Sequence, residues 1–146
     1  MTTRSRIGIT NPDGSIDSIH CQCDGNPEYA GRILTTHYTT HERIRRPMDL
    51  GDLDILGSEP IAFETNAEYE QAADVHPSEG YEKCANTRTY NQPFEPTMHS
   101  PDKDAYMRQG TRCGEEYLHL FAQDKWQVYD VCGDAPQWRA LAPSPH

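Results

Sequence analysis

No run of apolar residues in this chain approaches the roughly 20 that a bilayer-crossing helix needs, and its first residues lack the apolar segment of a signal peptide. We therefore expect a cytoplasmic protein with no membrane contact. The five cysteines are odd in number and show no framework spacing, which points to reduced thiols. The sequence has no P-loop, no Gly-x-Gly-x-x-Gly, no His-Glu-x-x-His and no Gly-x-Ser-x-Gly. The commonest nucleotide, zinc-peptidase and serine-hydrolase signatures are thus missing, and we assign no catalytic residue, no metal and no cofactor.

Positive charge is also scarce, with 13 Lys and Arg against 23 Asp and Glu and a net charge of -10. The deficit is uneven. Residues 1–47 hold six Arg against five acids, whereas residues 48–146 hold seven basic against eighteen acidic groups. Nucleic-acid affinity is built from Lys and Arg neutralising phosphates, so direct binding to nucleic acid is disfavoured. An acidic surface suits a basic partner, or simply keeps the protein soluble. At 146 residues the chain is long enough for one modest core, but only 35% of it is hydrophobic and its mean hydropathy is -0.86. Much of it must be loop or exposed surface.

What is present is concentrated in residues 4–38. Alternating residues around Ile7 and Ile9 lead to Asn11-Pro12-Asp13-Gly14, then to a second strand from Ile16 to Cys23. Pro12 presets the second position of a type I turn, and Gly14 supplies the left-handed residue that restarts the ladder. Asn26 can cap a helix whose first residue is Pro27, where a missing N–H costs nothing, with Glu28 at the positive end of the dipole. Tyr29, Ala30, Ile33, Leu34, His37 and Tyr38 then fall on one stripe, which should pack on the sheet.

The run Thr3-Arg4-Ser5-x-Ile7-Gly8-Ile9, then Asp13-Gly14, Cys21-x-x-Asp24-Gly25-x-Pro27-Glu28-Tyr29-x-Gly31-x-x-Leu34-x-x-His37-Tyr38 and Leu50-Gly51-Asp52-Leu53-x-x-Leu56-Gly57, resembles a family of small phage, prophage and mobile-element proteins. The likeness covers about the first 57 residues and returns weakly over residues 116–129. This chain has Gln22 and Cys23 where the family pattern has His and Trp. The resemblance implies a phage or mobile-element setting, and with it the cytoplasm of a bacterial host cell, and brings no catalytic residue with it.

Thr39 with Glu42 makes a capping box for a second helix carrying Ile44 and Met48 inward, and Pro47 should shorten or kink it. Leu53, Ile55 and Leu56 should anchor the following loop. Residues 57–114 read as loop-rich, with a short helix capped by Thr65 and Glu68 and an extended piece from Cys84 to Tyr90. Residues 116–122 and 125–131 form a hairpin of aromatic and β-branched residues, whose connection lacks glycine and should therefore exceed two residues. The fold expected is α+β: a mainly antiparallel sheet from an N-terminal and a C-terminal hairpin, one or two helices on one face, and a loop-rich middle. Residues 1–131 make a single domain and residues 132–146 an irregular tail.

Four groups of residues could carry function. The acids Glu64, Glu68, Glu70, Asp74, Glu79 and Glu82 could face the basic groove of a partner. Hairpin alternation puts half of the aromatic residues outward, so Trp126 or Tyr129 could anchor an interface. Arg43, Arg45 and Arg46 could bind an anion such as a nucleotide phosphate. Cys21, with Cys23 beside it, could be a thiol or metal site with His37 or His119 as base, although buried structural cysteine is the plainer reading. From these we expect a non-enzymatic phage or mobile-element accessory protein that binds and inhibits a host defence protein, in the manner of an anti-CRISPR. Its target would be basic or nucleic-acid-binding. The alternative readings are binding or cleavage of a nucleotide defence signal, and a thiol or metal site at Cys21.

Overall fold

A computed structural model describes residues 3–23, 25–50, 53–56, 97–112, 114–133 and 137–141. The N-terminal hairpin forms as expected, with β1 (Ser5–Thr10) antiparallel to β2 (Ile16–Cys23) in the register Ser5 to Cys21 through Thr10 to Ile16. Gly14, at φ +89°, donates its N–H to the Asn11 carbonyl at 2.9 Å, and the Asn11 N–H reaches the Ser15 carbonyl at 2.7 Å. The chain then enters a wide π-type turn, Pro27–Gly31, continuous with α1 (Arg32–His37). Ala30, Ile33, Leu34 and Tyr38 are buried as the stripe required, but His37 lies outside it and is exposed.

The second helix, α2 (His41–Leu50), runs through Pro47 for three further residues. Proline there removes one backbone donor, and burial of Ile44 and Met48 against the sheet outweighs that loss. Its cap is Thr40, whose hydroxyl accepts from the Arg43 N–H at 3.2 Å, rather than Thr39. Residues 53–55, expected in a loop, form a short strand β3 (Leu53–Ile55) parallel to β2 at Cys21 and Cys23.

Among the described residues, two elements fall inside the stretch expected to be loop-rich. β4 (Met98–Ser100) pairs antiparallel with the first half of β2, on the edge whose other half takes β3. α3 (Lys103–Arg112) follows, capped by Asp102, whose carboxylate accepts from the Ala105 N–H at 2.8 Å. Its buried side is Ala105, Tyr106 and Gly110, a stripe too small and too polar to stand out in the sequence. The acids from Glu64 to Glu82, the Thr65-capped helix and the Cys84 to Tyr90 segment lie outside the described residues.

The C-terminal hairpin is β5 (Tyr117–Ala122) and β6 (Lys125–Asp130). Its connection is two residues after all, with Gln123 at φ 53° and Asp124 at φ 62° supplying the left-handed pair that glycine would normally supply. β5 lies parallel to β1 and joins the two hairpins into one sheet in the order β3-β2-β1-β5-β6, with β4 sharing the β3 edge. The tail is not irregular throughout, because β7 (Trp138–Ala140) pairs with β6 and closes the order at the far edge. The fold is α+β, with a mixed sheet made chiefly of antiparallel pairs. α1 and α2 cover one face, where Ile7, Ile9, Ile19, Phe121 and Trp126 meet Ile33, Leu34, Tyr38, Ile44 and Met48. α3 covers the other, where Tyr106 meets Ile16, Leu118 and Leu120. No helix among the described residues is long and apolar enough to cross a membrane.

Candidate functional site

Two of the three arginines of α2 are engaged with other groups of the fold. Arg45 donates to the Asp17 carboxylate at 2.9 Å and to the side-chain oxygen of Asn11. Asp17 also meets the His99 Nδ1 at 2.7 Å, so one carboxylate ties α2, β4 and the first turn together. Despite partial burial, these partners hold the Asp17 carboxyl below its ordinary range. Arg43 donates to the His37 carbonyl at 3.2 Å and lies over the Tyr38 ring, 5.5 Å from its centroid. Arg46 is exposed.

Cys21 is not open to the surface. Its side chain is fully buried in the apolar face, and so is that of His119. The His119 Nε2 donates to the Gly25 carbonyl at 2.8 Å, and burial lowers the ring's pKa to about 4, so the imidazole is neutral. Among the described residues no group of three or more His, Cys, Asp or Glu is placed to hold a metal ion.

On the α3 face the sheet encloses a charged cluster. Arg6, 7% exposed, donates from Nε to Glu115 Oε1 at 2.5 Å and from Nη1 to the Ser18 hydroxyl at 3.2 Å. His20 Nδ1 lies 3.7 Å from the same carboxylate oxygen. Burial would raise the Glu115 pKa, but His20 and Arg6 together bring it below the usual value, and the side chain stays ionised. Tyr106 closes the cluster, its buried hydroxyl 2.7 Å from the His119 carbonyl and 3.2 Å from that of Arg6. Gly8 makes room for it: a Cβ there would stand 3.0 Å from the ring. These groups are engaged with one another in holding the strands, which is structural work.

Among the described residues, two concavities that reach the surface lie on opposite faces. The first, of about 270 Å³, is bounded by Thr35 of α1 and Thr39 just after it, by Phe121, Asp124 and Trp126 of the C-terminal hairpin, and by Leu141 after β7, with Lys125 also at its wall. Trp126 therefore serves as a wall rather than as an exposed anchor: it is 4% exposed and donates its indole N–H to the Tyr38 carbonyl at 2.7 Å. Phe121 is fixed between Trp126 and His41, with centroids 5.2 and 5.7 Å away. The second, of about 280 Å³, is a more open cleft between α3 and β6, lined by Met107, Arg108, Thr111, Arg112 and Tyr129. Tyr129 is half-buried, held against Trp138 at 5.4 Å between centroids.

Of the residues singled out in sequence, Trp126 and Tyr129 thus line concave sites, and they do so on opposite faces. Alternation does turn Tyr129 away from the main core, but α3 covers that face, so the ring borders a cleft and not open solvent. Sequence reasoning missed Arg108 and Arg112, because the helix that carries them was not read. The signal was Asp102 as a cap followed by two arginines four apart, which a helix places side by side. Comparison with protein-family models, with curated proteins and with solved structures gives no match to this chain.

Proposed function

We propose that this is an accessory protein of a phage or mobile element that works by binding, and that it inhibits a host defence protein of the CRISPR type without chemistry of its own. The observation that carries this reading is the cavity at the tip of the C-terminal hairpin. Its aromatic walls are held rigidly by Trp126 and His41 contacts, and its lip carries opposite charges at Asp124 and Lys125. A preformed apolar socket with a polar rim is the kind of surface into which a partner's aromatic or aliphatic side chain inserts as an interface anchor. The resemblance of the first 57 residues supplies the phage setting. The excess of acid in residues 48–146 favours a basic or nucleic-acid-binding target.

The test is inhibition of DNA binding by purified CRISPR effectors at rising concentrations of this protein and of its Ala140→Trp variant. Ala140 lines the cavity and is exposed on the edge strand, so the indole fills the socket without entering the core. We expect stoichiometric inhibition by the unaltered protein, weakening as salt rises, and at least tenfold weaker inhibition by the variant. Equal inhibition by both proteins, or inhibition indifferent to salt, refutes the mechanism. Failure to inhibit any effector refutes the function.

A further inference from the structure

We propose that the cleft between α3 and β6 binds a mononucleotide, with Arg108 and Arg112 on its phosphate and Tyr129 against its base. Residues 48–146 hold few cations, yet three of them, Lys103, Arg108 and Arg112, lie on this one helix. Lys103 is engaged: it donates to Gln127 Oε1 at 3.0 Å and sits over the Trp138 ring, 4.6 Å from its centroid. Arg108 and Arg112 are different. Both are exposed and line the cleft, and neither has a hydrogen bond or ion pair among the described residues, although Asp104 and Glu116 are four residues from them in the chain. Arg112 in the last turn would complement the helix dipole, but that explains neither Arg108 nor the cleft.

Each side of the cleft suits a different part of one ligand. Two guanidinium groups one helical turn apart present planar, paired donors to a phosphate monoester. Across the cleft, Tyr129 of β6 offers a ring on which a planar base can stack, Met107 of α3 adds apolar surface beside the arginines, and Trp138 keeps the tyrosine ring in place. The Thr111 hydroxyl donates to the Met107 carbonyl at 2.8 Å, which leaves its oxygen open to a hydroxyl or amino group of the ligand. A volume of about 280 Å³ holds one base and one phosphate and little more. The chain's net charge of -10 repels a polyanion, so the occupant is a free nucleotide and not a nucleic-acid strand. This site lies on the face opposite the socket described above and does not depend on it.

Isothermal titration calorimetry at low salt with adenosine 5′-monophosphate, inorganic phosphate and adenosine tests the assignment. The nucleotide should bind, and the two fragments should each bind about tenfold more weakly or worse. Arg108→Gln and Arg112→Gln should each weaken nucleotide binding about tenfold or more. Tyr129→Leu should reduce the nucleotide to the affinity of phosphate alone. Both arginines are exposed, so these variants should keep the unfolding midpoint of the parent protein. Absence of nucleotide binding overturns the proposal, and so does binding that survives both arginine replacements. Equal affinity for phosphate and nucleotide overturns the assignment to a nucleotide and leaves a plain anion site.

Discussion

On the α1 and α2 face, the central strands contribute Ile7, Ile9, Ile19 and Phe121 to a continuous apolar contact with Ile33, Leu34, Ile44 and Met48. On the α3 face the same two N-terminal strands contribute Arg6, Gly8, Ser18 and His20, and the largest residue laid over them is a tyrosine. The first face is held by burial, which tolerates any apolar side chain of suitable size. The second adds to a smaller apolar cluster of Ile16, Tyr106, Leu118 and Leu120 one ion pair, placed in the sheet by Arg6 and completed by Glu115 from 109 residues away. Both hairpins are needed before that pair exists, so the charged cluster fixes the parallel pairing of β1 with β5 as much as it stabilises it.

The largest effect should come from breaking that pair. Glu115→Ala leaves the Arg6 guanidinium buried with no carboxylate and should cost about 3–5 kcal/mol, read by urea unfolding at pH 7. Leu34→Ala on the opposite face should cost about 2–5 kcal/mol by leaving a cavity. What separates the faces is the rescue. Arg6→Met combined with Glu115→Leu should recover most of the loss, since apolar residues of similar volume can replace a buried ion pair. If the double variant is as unstable as Glu115→Ala, the cluster does more than neutralise itself.

The same contrast explains which parts of the fold were legible in the sequence. Ile7, Ile9 and Ile19 alternate, and Ile33 and Leu34 repeat at helical spacing, so one face announces itself through periodicity. Nothing periodic marks Arg6, Gly8, Ser18 and His20 as a buried surface, because their burial depends on Glu115 and Tyr106, which sit far along the chain. α3 was hidden for the same reason: a helix whose inner side is Ala105, Tyr106 and Gly110 lacks the apolar stripe by which helices are recognised. The candidate sites followed the fold. Tyr129 and Trp126 were visible as aromatic residues, but their roles as walls on opposite faces needed α3 and the α1 helix in place.

Acid should separate the faces by pH. His119 is buried and neutral on the α1 face, with its pKa lowered from 6.5 to about 4. The unfolded chain takes up a proton below 6.5, whereas the native chain does not until about 4, so stability present above 6.5 is lost as pH falls through this window. The loss should be about 2 kcal/mol by pH 5. Glu115 on the α3 face, whose carboxyl is depressed, contributes stability that is present above the ordinary carboxylate range and lost only at lower pH. Urea unfolding at pH 7 and 5 should therefore show a decline that His119→Gln flattens, because the amide can still donate to the Gly25 carbonyl but does not titrate. An unchanged slope in that variant removes His119 as the cause.

A smaller effect is expected where α3 meets the sheet. A Cβ on Gly110 would stand 2.4 Å from Leu118 Cδ2, and Leu118 is fully buried. Gly110→Ala gains roughly 1 kcal/mol of helix propensity and incurs roughly 1–3 kcal/mol of overpacking, for a net loss of about 1 kcal/mol. The comparable change at Gly14, which has open space around it but a φ of +89°, would be strained by backbone conformation alone. Pairing Gly110→Ala with Leu118→Val should restore stability in the helix and leave the α1 face untouched, as judged by unfolding midpoints.

A change in stability of similarly small size bears most directly on function. Gln123 and Asp124 both adopt left-handed backbone conformations, which ordinarily select Asn-Gly in a two-residue hairpin turn. Replacing the pair by Asn-Gly should therefore stabilise the protein by about 1 kcal/mol. Such a gain, left untaken, makes sense if Asp124 is kept for its place at the lip of the socket, where it lies beside Lys125, Phe121 and Trp126. If the protein is the inhibitor proposed above, the Gln123→Asn, Asp124→Gly protein should then unfold at higher temperature yet inhibit less well, whereas a protein both more stable and equally inhibitory would leave the acidic lip without a role in binding.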